Sequence, residues 1–229
     1  MKKVIISLVA LLVATTAFAR PTGLRLGGGY SVDFYGAEKG LDITFLGLDR
    51  TEYYGAFIEV GYDWNFTEHS ALTVGLRGNL LLNNKVQSTS NRRVEKPGAD
   101  YGLTGQLSNR FYLDIPVKYQ FSFNVSPKVQ LFFDLGPTLN FWLGNRTTYW
   151  YASKVGGKSD SNAESHNWFK DTEGKYYNRV NLSLGADAGV YFHHVKIYLG
   201  YDQGLVPFIK KDFGKSALGQ LRVGAAYVF

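Results

Sequence analysis

What most limits the folding of this chain is an alternation of apolar and polar residues that recurs in eight separate runs. In the first, Leu24, Leu26, Gly28, Tyr30, Val32 and Phe34 alternate with Arg25, Gly27, Gly29, Ser31 and Asp33. The pattern returns over 54–64, 72–82, 111–123, 129–141, 180–192, 195–201 and 221–229. Successive side chains of a strand point to opposite faces, whereas a helix repeats about every 3.6 residues. The runs therefore predict eight amphipathic strands.

Their connections alternate in length. The links at 66–70, 124–128 and 193–194 are short; those at 36–51, 83–109, 144–177 and 203–216 are long and rich in Gly, Ser, Asn and charge. Short links join antiparallel neighbours. Eight such strands, with short turns on one rim and long loops on the other, predict an all-β, eight-stranded antiparallel up-and-down transmembrane β-barrel with periplasmic turns and extracellular loops.

The start of the chain agrees with export. Lys2 and Lys3 precede an apolar run over 4–13 broken only by Ser7, and Ala17-Phe18-Ala19 fits a small-x-small cleavage site. Residues 1–19 are expected to be a signal peptide cut between Ala19 and Arg20, leaving 20–229 as the barrel. Losing Lys2 and Lys3 lowers the formal charge from +6 to +4, so no nucleic-acid partner is called for. With no Cys, the chain has no disulfide scaffold, thiolate metal site or thiol nucleophile.

Alternation does not say which face is outside, because a soluble ligand-carrying barrel would turn its apolar face inward. Three features place it outward. Ten glycines (27, 29, 55, 61, 75, 136, 185, 189, 200 and 224) lie on the polar face, where they leave room for long side chains in a narrow lumen. That face carries seven cations (Arg25, Arg77, Arg110, Lys118, Arg179, Lys196 and Arg222) and seven anions (Asp33, Glu59, Asp63, Asp114, Asp134, Asp187 and Asp202). Such balance suits an enclosed space, where an unpaired charge is costly. On the apolar face, aromatics gather at strand ends. Tyr62, Trp64, Tyr119, Phe121, Phe123, Phe192, Tyr227 and Phe229 lie near the short turns; Phe34, Tyr54, Phe111, Phe141 and Tyr201 lie near the long loops. Two girdles around an aliphatic belt match a bilayer.

The ending Arg222-x-Gly224-x-x-Tyr227-x-Phe229 resembles the C-terminal assembly signal of outer-membrane proteins, which implies delivery to the barrel assembly machinery. Further motifs are Tyr112-Leu113-Asp114-Ile115-Pro116-Val117-Lys118-Tyr119, Asp134-Leu135-Gly136-Pro137, Asn181-Leu182-Ser183-Leu184-Gly185-Ala186 and Tyr201-Asp202-Gln203-Gly204-Leu205. Through them the chain resembles the Bacteroidetes-type outer-membrane β-barrel domain family, a porin-like family. That resemblance implies fold and the outer membrane of a Gram-negative bacterium, with no single shared activity. One branch of the family includes an accessory barrel of protein secretion.

Pro116 and Pro137 fall inside strands that need every N–H paired, so a bulge or a broken ladder is expected beside one of them. An eight-stranded lumen is just wide enough for side chains to fill it. The charges above, with Arg77 or Lys118 pairing to Glu59 or Asp114, are expected to plug it. No catalytic group, cofactor or metal is expected: His69, His193 and His194 lie in short turns, and only His166, beside Glu164 and Ser165, lies in a long loop. The expected role is structural or interactive, through the loops. The alternative is a narrow pore or an accessory barrel in transport or secretion, with a lipid-modifying enzyme further behind. Lys85, Arg92, Arg93, Lys96, Lys210, Lys211 and Lys215 are candidates to meet phosphates of outer-membrane glycolipid. The aromatic third loop, with Tyr149-Trp150-Tyr151 and Trp168-Phe169, is read as extending the barrel, folding over its mouth or binding a partner. The barrel is expected to be a monomer.

Overall fold

The computed structural model describes residues 22–37, 51–88, 99–126, 128–155, 158–167, 169–170, 178–207 and 216–229. They form nine strands: β1 (Gly23–Ala37), β2 (Thr51–Thr67), β3 (Ser70–Ser88), β4 (Ala99–Ser126), β5 (Val129–Val155), β6 (Lys158–Asn167), β7 (Val180–Phe192), β8 (Val195–Gly204) and β9 (Ser216–Val228). Eight of them close a ring. The order β4-β3-β2-β1-β9-β8-β7-β5 is completed by β4–β5 pairing, and every neighbour is antiparallel. Closure leaves no edge strand within the ring, as lipid requires of backbone polar groups.

The ninth strand is the departure from the sequence reading. β6 lies in the third long connection and pairs with upper β5, from Arg146↔Asn167 to Val155↔Lys158. Lower β5 pairs instead with β7, ending at Phe141↔Val180. A bulge marks the exchange of partners: Phe111 faces Gly144 and Tyr112 faces Trp142, leaving Leu143 unpaired in the β4–β5 register. The extra residue reverses the parity of β5, so that Phe141 lies toward lipid while Trp142, Asn145 and Thr147 are all buried. β4 is 28 residues long and β5 is 27, far beyond the roughly 10 residues that cross a bilayer. Much of what was read as loops two and three is thus strand.

The prolines meet an interrupted ladder rather than a bulge. β3–β4 pairing jumps from Val74↔Val117 to Arg77↔Asp114, and β4–β5 pairing from Pro116↔Thr138 to Tyr119↔Leu135, both in unchanged register. Ladder positions that would need the absent N–H of Pro116 and Pro137 are the ones omitted.

Side chains sort as the patterning requires. Ile58, Leu80, Leu135, Ile197, Leu199 and Val223 stand exposed on the outer wall, whereas Arg77, Lys118, Asp114 and Arg222 are buried inside. So continuous an apolar surface is far larger than a soluble monomer exposes, and lipid is its natural solvent. Rings meet along the lower girdle: Tyr62 with Trp64 at 4.7 Å, Tyr119 with Phe121 at 4.8 Å, and Tyr227 with Phe229 at 5.0 Å. At the β7–β8 turn His193 adopts a φ of 54°, the left-handed conformation that tight two-residue hairpins demand.

Candidate functional site: the lumen and its mouth

The inward faces of seven strands converge on an ionic network. At its centre Arg222 of β9 donates to Asp202 Oδ2 at 2.5 Å, Asp187 Oδ1 at 2.9 Å and Gln220 Oε1 at 2.6 Å. Lys118 of β4 reaches the same two carboxylates, at 2.9 Å from Asp187 and 3.1 Å from Asp202. Two cations shared by two anions neutralise a cluster drawn from β4, β7, β8 and β9. Arg77 of β3 is held more loosely, 3.6 Å from Glu59, 3.6 Å from Asp114 and 3.9 Å from Asp202.

Toward the short turns, Arg25 pairs with Asp63 and lies 3.6 Å from Glu59. Tyr191 donates to the other Asp63 oxygen at 3.0 Å. Lys196 meets Asp134 at 2.8 Å, its ammonium 4.2 Å from the Phe132 ring centroid. Of the pairings anticipated for this lumen, Arg77 stands near both Glu59 and Asp114, while Lys118 finds its partners across the barrel.

Toward the long loops the chemistry changes from ion pairs to amides and rings. Asp114 accepts from Asn79 at 2.9 Å and Asn140 at 2.6 Å. Asp33 accepts from Tyr112 at 2.8 Å and Gln220 at 3.2 Å, and Gln220 also donates to the Tyr112 hydroxyl. Above them Tyr53, Leu81, Tyr112, Trp142, Phe169 and Leu218 form a buried cluster, with the Arg110 guanidinium 3.6 Å from the Tyr53 ring and 5.7 Å from Trp142. A second cluster of Phe57, Phe132, Tyr191, Tyr198 and Val228 packs within the lower barrel. Trp142 and Tyr191 went unnoticed in the sequence; strand parity, with the bulge at Leu143, is the signal that finds them.

Arg179, expected inside with the other charges, is exposed. It precedes β7, and its guanidinium lies over the Phe169 ring at 4.9 Å and donates to the Phe169 carbonyl at 3.3 Å. The period-two reading carried it one residue past the strand. Pairing within the β5–β6 hairpin brings Glu164 and His166 onto one face, 3.3 Å apart, with the Tyr149 ring 6.1 Å from the imidazole. Ser165 points the other way, to Thr148 at 2.6 Å and Arg146 at 3.2 Å. Three neighbours in sequence thus fail to make a nucleophile–base pair.

A family model described as outer membrane protein beta-barrel domain matches residues 5–229. The chain belongs to that family. It is an outer-membrane protein of a Gram-negative bacterium. No curated protein matches the sequence. Among solved structures it is similar to Ail, the attachment invasion locus protein of Yersinia pestis (14% identity, 90% of this chain and 99% of that one, TM-score 0.42). It is also similar to Neisserial surface protein A (13%, 90% and 97%, 0.43) and to OprG of Pseudomonas aeruginosa (10%, 92% and 97%, 0.39). Membership rests on the family match.

In this outer-membrane β-barrel the glycines of the lumen are seats for the network. A Cβ on Gly185 would strike Asp202 Oδ1, and one on Gly200 would strike Asp187 Oδ1 and stand 3.0 Å from Arg222 Nη2. The C-terminal motif divides between the two faces. Arg222 and Gly224 are buried, Gly224 against Tyr198 and Phe57, while Tyr227 and Phe229 are exposed on the wall. The Phe229 N–H donates to the Leu24 carbonyl at 2.9 Å, joining the chain's end to its first strand. His69 and His194 bond the backbone carbonyls of Ser122 and Val228 at the short-turn rim. Ala19 and Arg20, the expected cleavage point, lie outside the described residues, as do Arg92, Arg93, Lys96, Lys210, Lys211 and Lys215; the Lys85 side chain lies outside them too.

Proposed function

We propose that this outer-membrane barrel is a closed, non-enzymatic wall element whose lumen is plugged by its own side chains and whose extracellular parts carry its interactions. The lumen charges named from the sequence, Arg179 excepted, act in this reading as the plug. The observation that carries it is the run of contacts from Asp63 through Arg25, Glu59 and Arg77 to Asp202 and Arg222, which crosses the lumen between two apolar clusters. Buried charges so arranged resist separation, since breaking one pair strands its partner in a low dielectric. Reconstitution into a planar bilayer tests this. The expected outcome is no steady conductance of porin size; such steps from the purified protein would refute the plug.

A narrow pore or accessory secretion barrel is the second reading. It draws on the interrupted ladders beside Pro116 and Pro137 and on a small cavity lined by Arg77, Pro116, Lys118 and Tyr198. In our reading the partners are outer-membrane lipid, glycolipid phosphates at the loop cations, and the assembly machinery at Arg222, Gly224, Tyr227 and Phe229, and the barrel is a monomer. Its motifs at 112–119 and 134–137 support, in our reading, a likeness to the Bacteroidetes-type outer-membrane barrels.

A further inference from the structure

We propose that the extracellular mouth is a binding pocket for an aromatic ring bearing an anionic group, and that the chain fills this pocket with its own Phe169. The pocket and its occupant have different origins. Tyr53, Leu81, Tyr112, Trp142 and Leu218 come from β2, β3, β4, β5 and β9, so the walls belong to the ring. Phe169 comes from the turn that follows β6, outside the ring, and yet only 4% of its surface is exposed. A rigid, ring-lined pocket that already holds a phenyl group has the shape and chemistry for one.

The polar contacts that seat the Phe169 backbone include a local turn. Asn167 Oδ1 accepts from the N–H groups of Phe169 at 3.2 Å and Lys170 at 3.3 Å, and the Asn167 carbonyl accepts from Lys170 N–H at 2.9 Å. This short turn aims the ring into the mouth. On the far side, exposed Arg179 covers the ring and donates to the Phe169 carbonyl. If the phenyl group withdraws, that same guanidinium is released at the rim, where a carboxylate is its natural partner. Hence the ligand class combines a planar ring with an anionic group. The proposal goes beyond the plugged-barrel reading and does not rest on it, because the pocket lies above the ionic network.

Phenylacetate is a suitable probe, titrated by calorimetry into the full barrel in detergent micelles, with cyclohexylacetate as a control for partition into the micelle. In the wild type the pocket is free only in the fraction of molecules whose Phe169 has withdrawn, which weakens apparent affinity by that fraction. Phe169→Ala is expected to bind phenylacetate saturably, with a Kd about tenfold or more below wild type. Adding Arg179→Gln should weaken phenylacetate several-fold and leave benzyl alcohol unchanged. Asn167→Gly, which loosens the turn while keeping the ring, should fall between wild type and Phe169→Ala, and serves if the alanine variant misfolds. The proposal is overturned if the folded variants bind no tighter than wild type, or if cyclohexylacetate binds as well as phenylacetate.

Discussion

The closed ring and the sheet that rises from it are made by the same strands under opposite conditions. In the ring, one face meets lipid and the other a crowded lumen, so each residue is bound to one chemistry. Above it, β4 and β5 continue with β6 alongside, past the roughly 10 residues that a bilayer crossing takes up. There Ser161 to Ser165 of β6 are exposed, and the contacts are hydroxyls, an amide and a solvated imidazole–carboxylate contact. Backbone pairing continues from one region to the other across the bulge and the exchange of partners, while the side-chain energetics do not. Strand structure can thus outlast the amphipathic pattern that announces it, and stability should be concentrated in the ring.

The sharpest way to break that contrast is to remove a charge from the ring. Arg222→Leu takes away one of the two cations shared by Asp187 and Asp202, leaving both carboxylates buried with Lys118 and, for Asp202, the more distant Arg77. Stranding buried charge costs about 3–5 kcal/mol. Urea unfolding of the protein in lipid vesicles, with the heat-modifiable gel shift as a check for the barrel, should show a loss of that size. Neutralising one acid as well, with Asp187→Asn, leaves Asp202 paired with Lys118 and should recover much of it. An unchanged midpoint for the single variant would mean that the network is solvated and weak.

The same contrast explains what was legible in the sequence. Asp187, Asp202 and Arg222 could be assigned to the lumen because Ala186, Ala188, Tyr201, Leu221 and Val223 alternate with them. Their partners could not be assigned, since pairing across a barrel depends on register and closure that no single strand encodes. β6 was invisible: Lys158–Asn167 reads KSDSNAESHN, and a strand with water on both faces has no reason to alternate. The bulge at Leu143 left no local mark either, and with it went the inward turn of Asn145 and Thr147. Arg179 failed in the opposite sense, since its parity is inward but the strand begins one residue later. Phe169 was named with the other rings of the aromatic third loop, but nothing local said which of them would enter the mouth.

Glycines sharpen the comparison at lower cost. Gly200→Ala drives a methyl group into Asp187 Oδ1, which Arg222 holds in place at 2.9 Å. The carboxylate can move only by loosening its pairs, so a loss of about 1–3 kcal/mol is expected, as for other overpacked interiors. In the rising sheet, a Cβ on Gly105 would strike the indole of Trp150. That ring is partly exposed and can swing outward, so Gly105→Ala should cost clearly less in the same unfolding assay. Equal losses would show that the upper sheet is packed as tightly as the ring.

The smallest effect is expected at the Glu164–His166 pair. Its geometry resembles the ion pairs of the lumen, with nitrogen and oxygen 3.3 Å apart, but the two side chains are 39% and 74% exposed. Water and salt screen such a pair, and holding two side chains in place offsets most of what attraction remains, so exposed pairs contribute about 0–1 kcal/mol. His166→Ala should therefore leave the unfolding midpoint close to wild type at low and high salt alike, with the gel shift intact. The Tyr149 ring 6.1 Å away gives the imidazole one further contact, an edge-on one, and its loss belongs to the same small range. A loss approaching that of Arg222→Leu would mean that the hairpin bears on the ring's stability, and the two regions would then have to be treated as one cooperative unit.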